Sequence, residues 1–127
     1  MNKIPKISDA EWQVMKILWE KAPVTSSEIV ENLRLKTGWS PTTIYTLINR
    51  LVKKKVVAIE KGSSPYLCKP LLSQKEYRSE ARNSFLKKVY DGSLNLLLTN
   101  ILEEEGLTEE EVAELKRILD NSKTKGR

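Results

Sequence analysis

Trp39-Ser40-Pro41-Thr42-Thr43-Ile44-Tyr45-Thr46-Leu47-Ile48-Asn49-Arg50-Leu51-Val52-Lys53-Lys54-Lys55 is the stretch that decides the fold. Ser40 is suited to cap a helix, and Pro41 to sit at its first position, where a missing N–H costs nothing. Trp39 can staple onto Ile44. Ile44, Leu47, Ile48, Leu51 and Val52 recur at helical spacing, which predicts a helix over about Pro41 to Lys54 with one apolar side. Thr42, Thr43, Tyr45, Thr46, Asn49, Arg50 and Lys53 fall opposite. Short hydroxyls near the helix start suit base edges and thymine methyls. Arg50, Lys53, Lys54 and Lys55 suit phosphates, and the N-terminal end of the helix adds a favourable dipole. A lone polar helix face is more often simply solvated, so its neighbours have to argue the case.

Outward from this helix, one start signal recurs: an apolar residue, Ser or Thr, Glu three residues later, then another apolar residue. It occurs at Ile7-Ser8 with Glu11-Trp12, at Val24-Thr25 with Glu28-Ile29, at Leu72-Ser73 with Glu76-Tyr77 and at Leu107-Thr108 with Glu111-Val112. In each, the hydroxyl can accept from an orphan amide while the Glu reaches back to the cap amide. Two helices are therefore expected ahead of the quoted one. The first runs over about Asp9 to Lys21, with Trp12, Met15, Leu18, Trp19 and Ala22 on one side. The second runs over about Ser26 to Lys36, with Ile29, Val30 and Leu33 inward. Downstream, Val56 to Lys61 is short and β-rich, Gly62-Ser63-Ser64 is a turn, and Tyr66 to Lys69 alternates before Pro70 ends it. Helix, helix, helix, hairpin in 70 residues is a winged-helix arrangement. The tip at Lys61 to Ser64 is placed beside a DNA backbone or minor groove. Some winged helices bind proteins instead, so an interaction adaptor without DNA binding stands as the alternative.

The second half reads differently. A long helix is expected over Ser73 to about Asp91, a Leu-rich one over Ser93 to about Glu105 and a third over Glu109 to about Asn121, with Gly92 and Gly106 as breaks. This places a winged helix–turn–helix domain at 1–71 and a three-helix lobe at 72–127. The fold class is mainly α with a small β-hairpin. So small a lobe buries its apolar surface poorly alone. Phe85, Val89, Leu94, Leu97, Leu98, Ile101, Leu102, Val112, Leu115, Ile118 and Leu119 are therefore expected to pack against a second copy about a two-fold axis, the alternative being that the lobe folds back on the first domain.

Charge divides along the same line. The chain has 127 residues, 22 Lys plus Arg, 17 Asp plus Glu and a net charge of +5. Residues 1–70 hold twelve basic and six acidic side chains, and residues 71–127 hold ten and eleven. The excess positive charge thus lies on the lobe with the polar helix, which points to a polyanionic partner. The absence of His and the single Cys exclude Ser-His-Asp and Cys-His nucleophile systems, His-ligated zinc and an internal disulfide. No catalytic, metal or cofactor site is expected. Glu103-Glu104-Glu105 and Glu109-Glu110-Glu111 read as solvated faces and cap residues. Cys68 reads as a small apolar filler. With no secretory signal or membrane-length apolar run visible, a cytoplasmic location without membrane insertion is expected.

Three motifs resemble one family. Lys3-Ile4-Pro5-Lys6-Ile7-Ser8-Asp9-Ala10-Glu11, Trp39 to Leu47 continued by Arg50-Leu51-Val52-Lys53-Lys54-Lys55, and Phe85-Leu86-Lys87-Lys88-Val89-Tyr90-Asp91-Gly92-Ser93-Leu94-Asn95 are similar, in order, to the penicillinase and methicillin-resistance repressors. The resemblance covers nearly the whole chain. It implies a homodimeric winged-helix repressor on a dyad operator in double-stranded DNA, before genes for β-lactamase, penicillin-binding proteins or related functions. Base contacts would fall on Thr42, Thr43 and Thr46, with Arg50 toward the backbone. It further implies relief of repression by a membrane metalloprotease sensor, through a cut matching the Asn100-Ile101 bond. Three departures stand out. Thr42 replaces a Lys of close relatives, Tyr45 replaces other polar or basic side chains, and Ile101 stands where cleaved relatives carry Phe. The C-terminal Cys cluster of the copper-responsive branch is missing.

Overall fold

The computed structural model describes residues 4–60, 62 and 66–122. The described residues form six helices and three strands: α1 (Asp9–Lys21), β1 (Val24–Thr25), α2 (Ser26–Thr37), α3 (Pro41–Lys53), β2 (Val57–Glu60), β3 (Leu67–Pro70), α4 (Gln74–Tyr90), α5 (Leu94–Glu104) and α6 (Glu109–Asn121). By contacts the chain forms two units, Met1–Ala81 and Arg82–Arg127, so the division falls inside α4.

All four capping signals close as reciprocal boxes. Ser8 with Glu11, Thr25 with Glu28 and Thr108 with Glu111 start α1, α2 and α6. Ser73 and Glu76 exchange bonds of 2.9 and 3.1 Å ahead of α4. Each box satisfies two amides that a helix start otherwise leaves orphaned.

The core of the first unit lies between α1, α2, α3 and the sheet. Val14, Met15, Leu18, Ile29, Leu33, Ile44, Leu47, Leu51, Val56 and Val57 are buried there. The inward face of α1 differs from the expectation at two places. Ala22 is an exposed C-cap rather than part of the stripe, and Glu11 is buried within it. Trp12, Trp19 and Tyr77 pack edge-on or tilted, with ring centroids 5.2 to 6.2 Å apart. Trp19 Nε1 donates to Leu72 O at 2.9 Å and the Tyr77 hydroxyl donates to Pro5 O at 3.2 Å. These contacts seat the first turns of α4 on α1.

The sheet is antiparallel in the order β1-β3-β2. The hairpin expected from the sequence is β2 and β3, and β1 is an addition to it. Cys68 lies in the central strand opposite both Val24 and Ile59, fully buried. Burial pushes its thiol pKa up, which suits an inert apolar filler. Pro70 belongs to β3 instead of ending it. It faces Val57, while β1 reaches only Leu67 and Cys68, so β3 is an edge on its other side at Pro70 and no ladder donor is missed there.

Candidate nucleic-acid interface

Gly38, with φ of 77°, ends α2 in the left-handed region. Thr37 Oγ1 donates to Leu33 O at 2.7 Å and accepts from Trp39 N at 3.1 Å, which holds the turn. Ser40 then caps α3 by accepting from Thr43 N at 3.2 Å, with Pro41 at the first position. Trp39 packs against the core. α2, this short turn and α3 form a helix–turn–helix, and β2 with β3 forms its wing.

The burial of α3 follows its polarity. Ile44, Leu47, Ile48 and Leu51 are buried. Ser40, Thr42, Thr43, Tyr45, Thr46, Asn49, Arg50 and Lys53 are exposed, so one face of one helix brings together eight of the residues expected to contact DNA. Tyr45 is 41 % exposed. The hydroxyls are not equally available. Thr46 Oγ1 donates to Thr42 O at 2.9 Å, and Ser40 Oγ lies 3.0 Å from Thr43 Oγ1. Among the described residues, neither Arg50 nor Lys53 has an acidic partner; the ion pairs there are Arg34 with Glu31, Lys54 with Glu11 and Arg117 with Glu114. An uncompensated cation on a surface helix leaves its attraction available to a phosphate.

Lys54 departs from its lysine neighbours. The run Lys53-Lys54-Lys55 groups it with the phosphate-facing cations, but its ammonium turns into the domain. It donates to Glu11 Oε1 at 2.7 Å and to Lys6 O at 2.9 Å. Glu11 Oε1 also accepts from Ser8 N at 2.7 Å, while Glu11 Oε2 is buried without a partner. Burial alone would raise the Glu11 pKa. The bond from Lys54, the Ser8 amide, the charge of Lys54 and the Ser8 hydroxyl outweigh it, and the carboxyl sits below its ordinary value. One signal in the sequence pointed to this pair: Glu11 falls in register with Val14, Met15 and Leu18, and a carboxylate in an apolar stripe needs a cation.

Lys55 has φ of 63°. Its N–H reaches Val52 O at 3.0 Å and that of Val56 reaches Leu51 O at 3.1 Å, a Schellman ending that directs the chain from α3 into β2. On the wing, Lys61 and Ser63, both expected to contact DNA, lie outside the described residues. Tyr66, 54 % exposed, and Lys69, also exposed, stand on the described part of the wing and were not picked out from the sequence.

In the second unit, none of residues 82–122 is buried. Phe85, Val89, Leu94, Leu98, Leu102, Leu115, Ile118 and Leu119 are between 41 and 69 % exposed, and Leu97, Ile101 and Val112 are half-buried. A hollow of about 310 Å³ opens between Leu107, Glu109, Val112, Ala113 and Lys116. Asn100 and Ile101 are half-buried inside α5. Among the described residues no helix is long and apolar enough to cross a membrane.

A helix–turn–helix with a hairpin wing, and an open polar and cationic face on its second helix, defines the winged-helix class of DNA-binding proteins. A family model described as penicillinase repressor matches residues 7–121, and the chain belongs to that family. It is 37 % identical to the penicillinase repressor of Bacillus licheniformis over 125 residues, which cover 98 % of each chain. It is 37 % identical to the methicillin resistance regulatory protein MecI of Staphylococcus aureus (strain N315), over 94 % of this chain and 97 % of the relative. Two solved structures match with a TM-score of 0.54 and 36 % identity, covering 61 % of this chain and 94 % of theirs. One is the DNA binding domain of the repressor BlaI, and the other is the monomeric form of the Bacillus licheniformis BlaI in complex with the blaP half-operator. The protein is thus a DNA-binding repressor rather than an enzyme.

Proposed function

We propose that the chain acts as a cytoplasmic homodimer on a two-fold operator, each copy laying α3 in one major groove with its hairpin beside the neighbouring backbone. The observation that carries this is the outer face of α3, where Thr42, Thr43, Thr46 and Asn49 lie exposed beside Arg50 and Lys53, which have no acidic partner among the described residues. The hydroxyls and the amide suit base edges, and the two cations suit phosphates. The solved complex of the BlaI relative with a half-operator supports one protomer per half-site. The family points to β-lactamase, penicillin-binding-protein or related operons as targets.

The second copy is argued from burial. Nine large apolar side chains stay at least 41 % exposed on a unit with no buried residue among those described. A second copy covering this surface supplies the core that the unit lacks. Relief of repression is assigned to a membrane metalloprotease sensor acting at Asn100-Ile101. A cut there separates α6 and the end of α5 from the rest of the surface.

The test is binding to the DNA upstream of the chain's own gene at 50 and 200 mM salt. Affinity should fall steeply with salt, by about 0.9 logarithmic units per tenfold salt for each phosphate neutralised. Absent or salt-independent binding overturns the reading. Incubation with the sensor of the same operon, followed by mass spectrometry, should find the cut at Asn100-Ile101; a chain left intact overturns that assignment.

A further inference from the structure

We infer that Thr46 reads DNA through its methyl group, and that the half-site of this protein carries a thymine opposite it whose 5-methyl group is the feature recognised. The inference rests on the DNA-binding reading above and adds the base chemistry. A threonine offers DNA a hydroxyl proton, two oxygen lone pairs and a methyl group. The proton of Thr46 is already used, because Oγ1 donates to Thr42 O at 2.9 Å along the helix. This bond is local, and giving it up would leave an exchange of partners with little net gain. The side chain is nevertheless exposed, on the meridian of α3 opposite the buried stripe of Ile44, Leu47 and Leu51. What remains outward is a methyl and an acceptor. Guanine presents only acceptors, N7 and O6, in the major groove, so such a surface gains nothing from it. A thymine methyl offers that surface an apolar contact.

The other hydroxyls differ, which makes Thr46 the decisive position. Ser40 and Thr43 share one bond at 3.0 Å in which either oxygen can donate, so one proton of that pair stays free. Thr42 has no side-chain bond among the described residues, so its hydroxyl is free to donate. Thr42 and Thr43 can therefore adapt to several bases, while Thr46 cannot offer a donor without breaking its helix bond.

The experiment starts from the tightest duplex selected from a randomised library by the full chain. Each thymine in it is replaced in turn by deoxyuridine, which removes only the methyl. The same duplexes are then titrated with Thr46→Val, which keeps a methyl and drops the hydroxyl, and Thr46→Ser, which does the reverse. At one thymine per half-site, the wild-type protein should lose about fourfold in affinity on removal of the methyl, the worth of one buried carbon. Thr46→Val should keep both the affinity and this dependence, and Thr46→Ser should bind both duplexes alike. Circular dichroism confirms that the variants fold. If no thymine responds to the swap, or if Thr46→Ser binds like the wild type while Thr46→Val loses tenfold or more, the methyl assignment is overturned and DNA binding stands. If the wild-type chain selects no duplex at all, the DNA-binding reading fails and the inference falls with it.

Discussion

Lys54 Nζ and Glu11 Oε1 are 2.7 Å apart, so the last turn of α3 is tied to the first turn of α1 by a charge pair whose acidic member is buried. The same ammonium holds Lys6 O at 2.9 Å, which fastens the segment ahead of α1 as well. The pair sets the end of α3 against the body of the domain.

Removing one partner of a buried pair leaves the other charge uncompensated, at a cost of roughly 3–5 kcal/mol when both are fully buried. Lys54 keeps about a third of its side chain exposed, so Lys54→Met should cost less, about 2 kcal/mol. Adding Glu11→Gln should restore part of the loss, because the amide can still accept from the Ser8 N–H and no charge is stranded. Urea unfolding of the three variants checks this. A double variant less stable than Lys54→Met alone would show that the charge of Glu11 is not the problem.

Stability should also depend on pH at both ends. The folded Glu11 carboxyl lies below its ordinary 4.5, as do those of Glu28 and Glu76, which accept from the cap amides of Thr25 and Ser73. A depressed carboxyl contributes stability that is complete above its unfolded pKa and is lost as pH falls through the folded one. The acid limb should therefore begin below about pH 4.5 and be shallower in Glu11→Gln. Tyr77 is pushed up to about 12, first by burial and then by the charges of Glu11 and Glu80. Its contribution is present below pH 10 and is lost as pH rises toward 12. Tyr77→Phe should cost about 1 kcal/mol at neutral pH, for the bond to Pro5 O, and flatten the alkaline limb. Urea midpoints of both proteins from pH 3 to 11 provide the comparison.

Much of this fold was legible because its signals are local. A capping box spans four residues, and all four candidates closed. The stripe of α3 fixed its buried face at Ile44, Leu47, Ile48 and Leu51 without tertiary information. β1 was not legible. It is two residues long and exists only through pairing with Leu67 and Cys68, more than forty positions away. Lys54 was misplaced for a related reason. Lys53, Lys54 and Lys55 read alike as a basic run, and the partner that separates Lys54 from its neighbours lies 43 residues upstream. The exposed face of α3 needed only a helical wheel, whereas the hydroxyl state of Thr46 depends on a rotamer that no residue pattern encodes.

Lys55 invites a stabilising change. With φ of 63° it occupies the position after the helix cap that glycine fills without strain. Lys55→Gly should raise the unfolding free energy by about 0.5–1 kcal/mol, since the relief of strain exceeds the entropy added to the unfolded chain. Because the Schellman bonds to Val52 and Leu51 are kept, the path into β2 should not change. A parallel loss of DNA affinity at low salt would show that the Lys55 charge also serves the interface.

Arg50 and Lys53 should behave unlike Lys54. Both are exposed and without an acidic partner among the described residues, so Arg50→Ala and Lys53→Ala should leave stability within about 0.5 kcal/mol. Each should weaken binding to all duplexes alike and reduce the salt slope by about 1. Thr46→Ala, by contrast, should relax the sequence preference. Competition between the selected duplex and a scrambled one at three salt concentrations separates the two effects. A cation variant that changed the order of preference among duplexes would assign that side chain to a base instead of a phosphate.

The apolar surface of the second unit yields the last prediction. Leu94, Leu98 and Leu102 recur at every fourth position of α5, and Leu115, Ile118 and Leu119 form the corresponding stripe of α6; all are exposed. Glutamates placed there would be buried unpaired in a dimer and tolerated in a monomer. Leu98→Glu combined with Ile118→Glu should therefore give a folded, monomeric chain at micromolar concentration in sedimentation equilibrium, and the wild-type chain should be dimeric there. Truncation after Asn100 removes α6 and should have the same effect. Two half-sites bound by one linked particle gain about 10²- to 10⁴-fold over either alone, so both variants should lose that margin on a full operator. On a half-site they should match the wild type, because every residue of α3 is unchanged. A wild-type chain that sediments as a monomer at these concentrations would remove the dimer and this margin together.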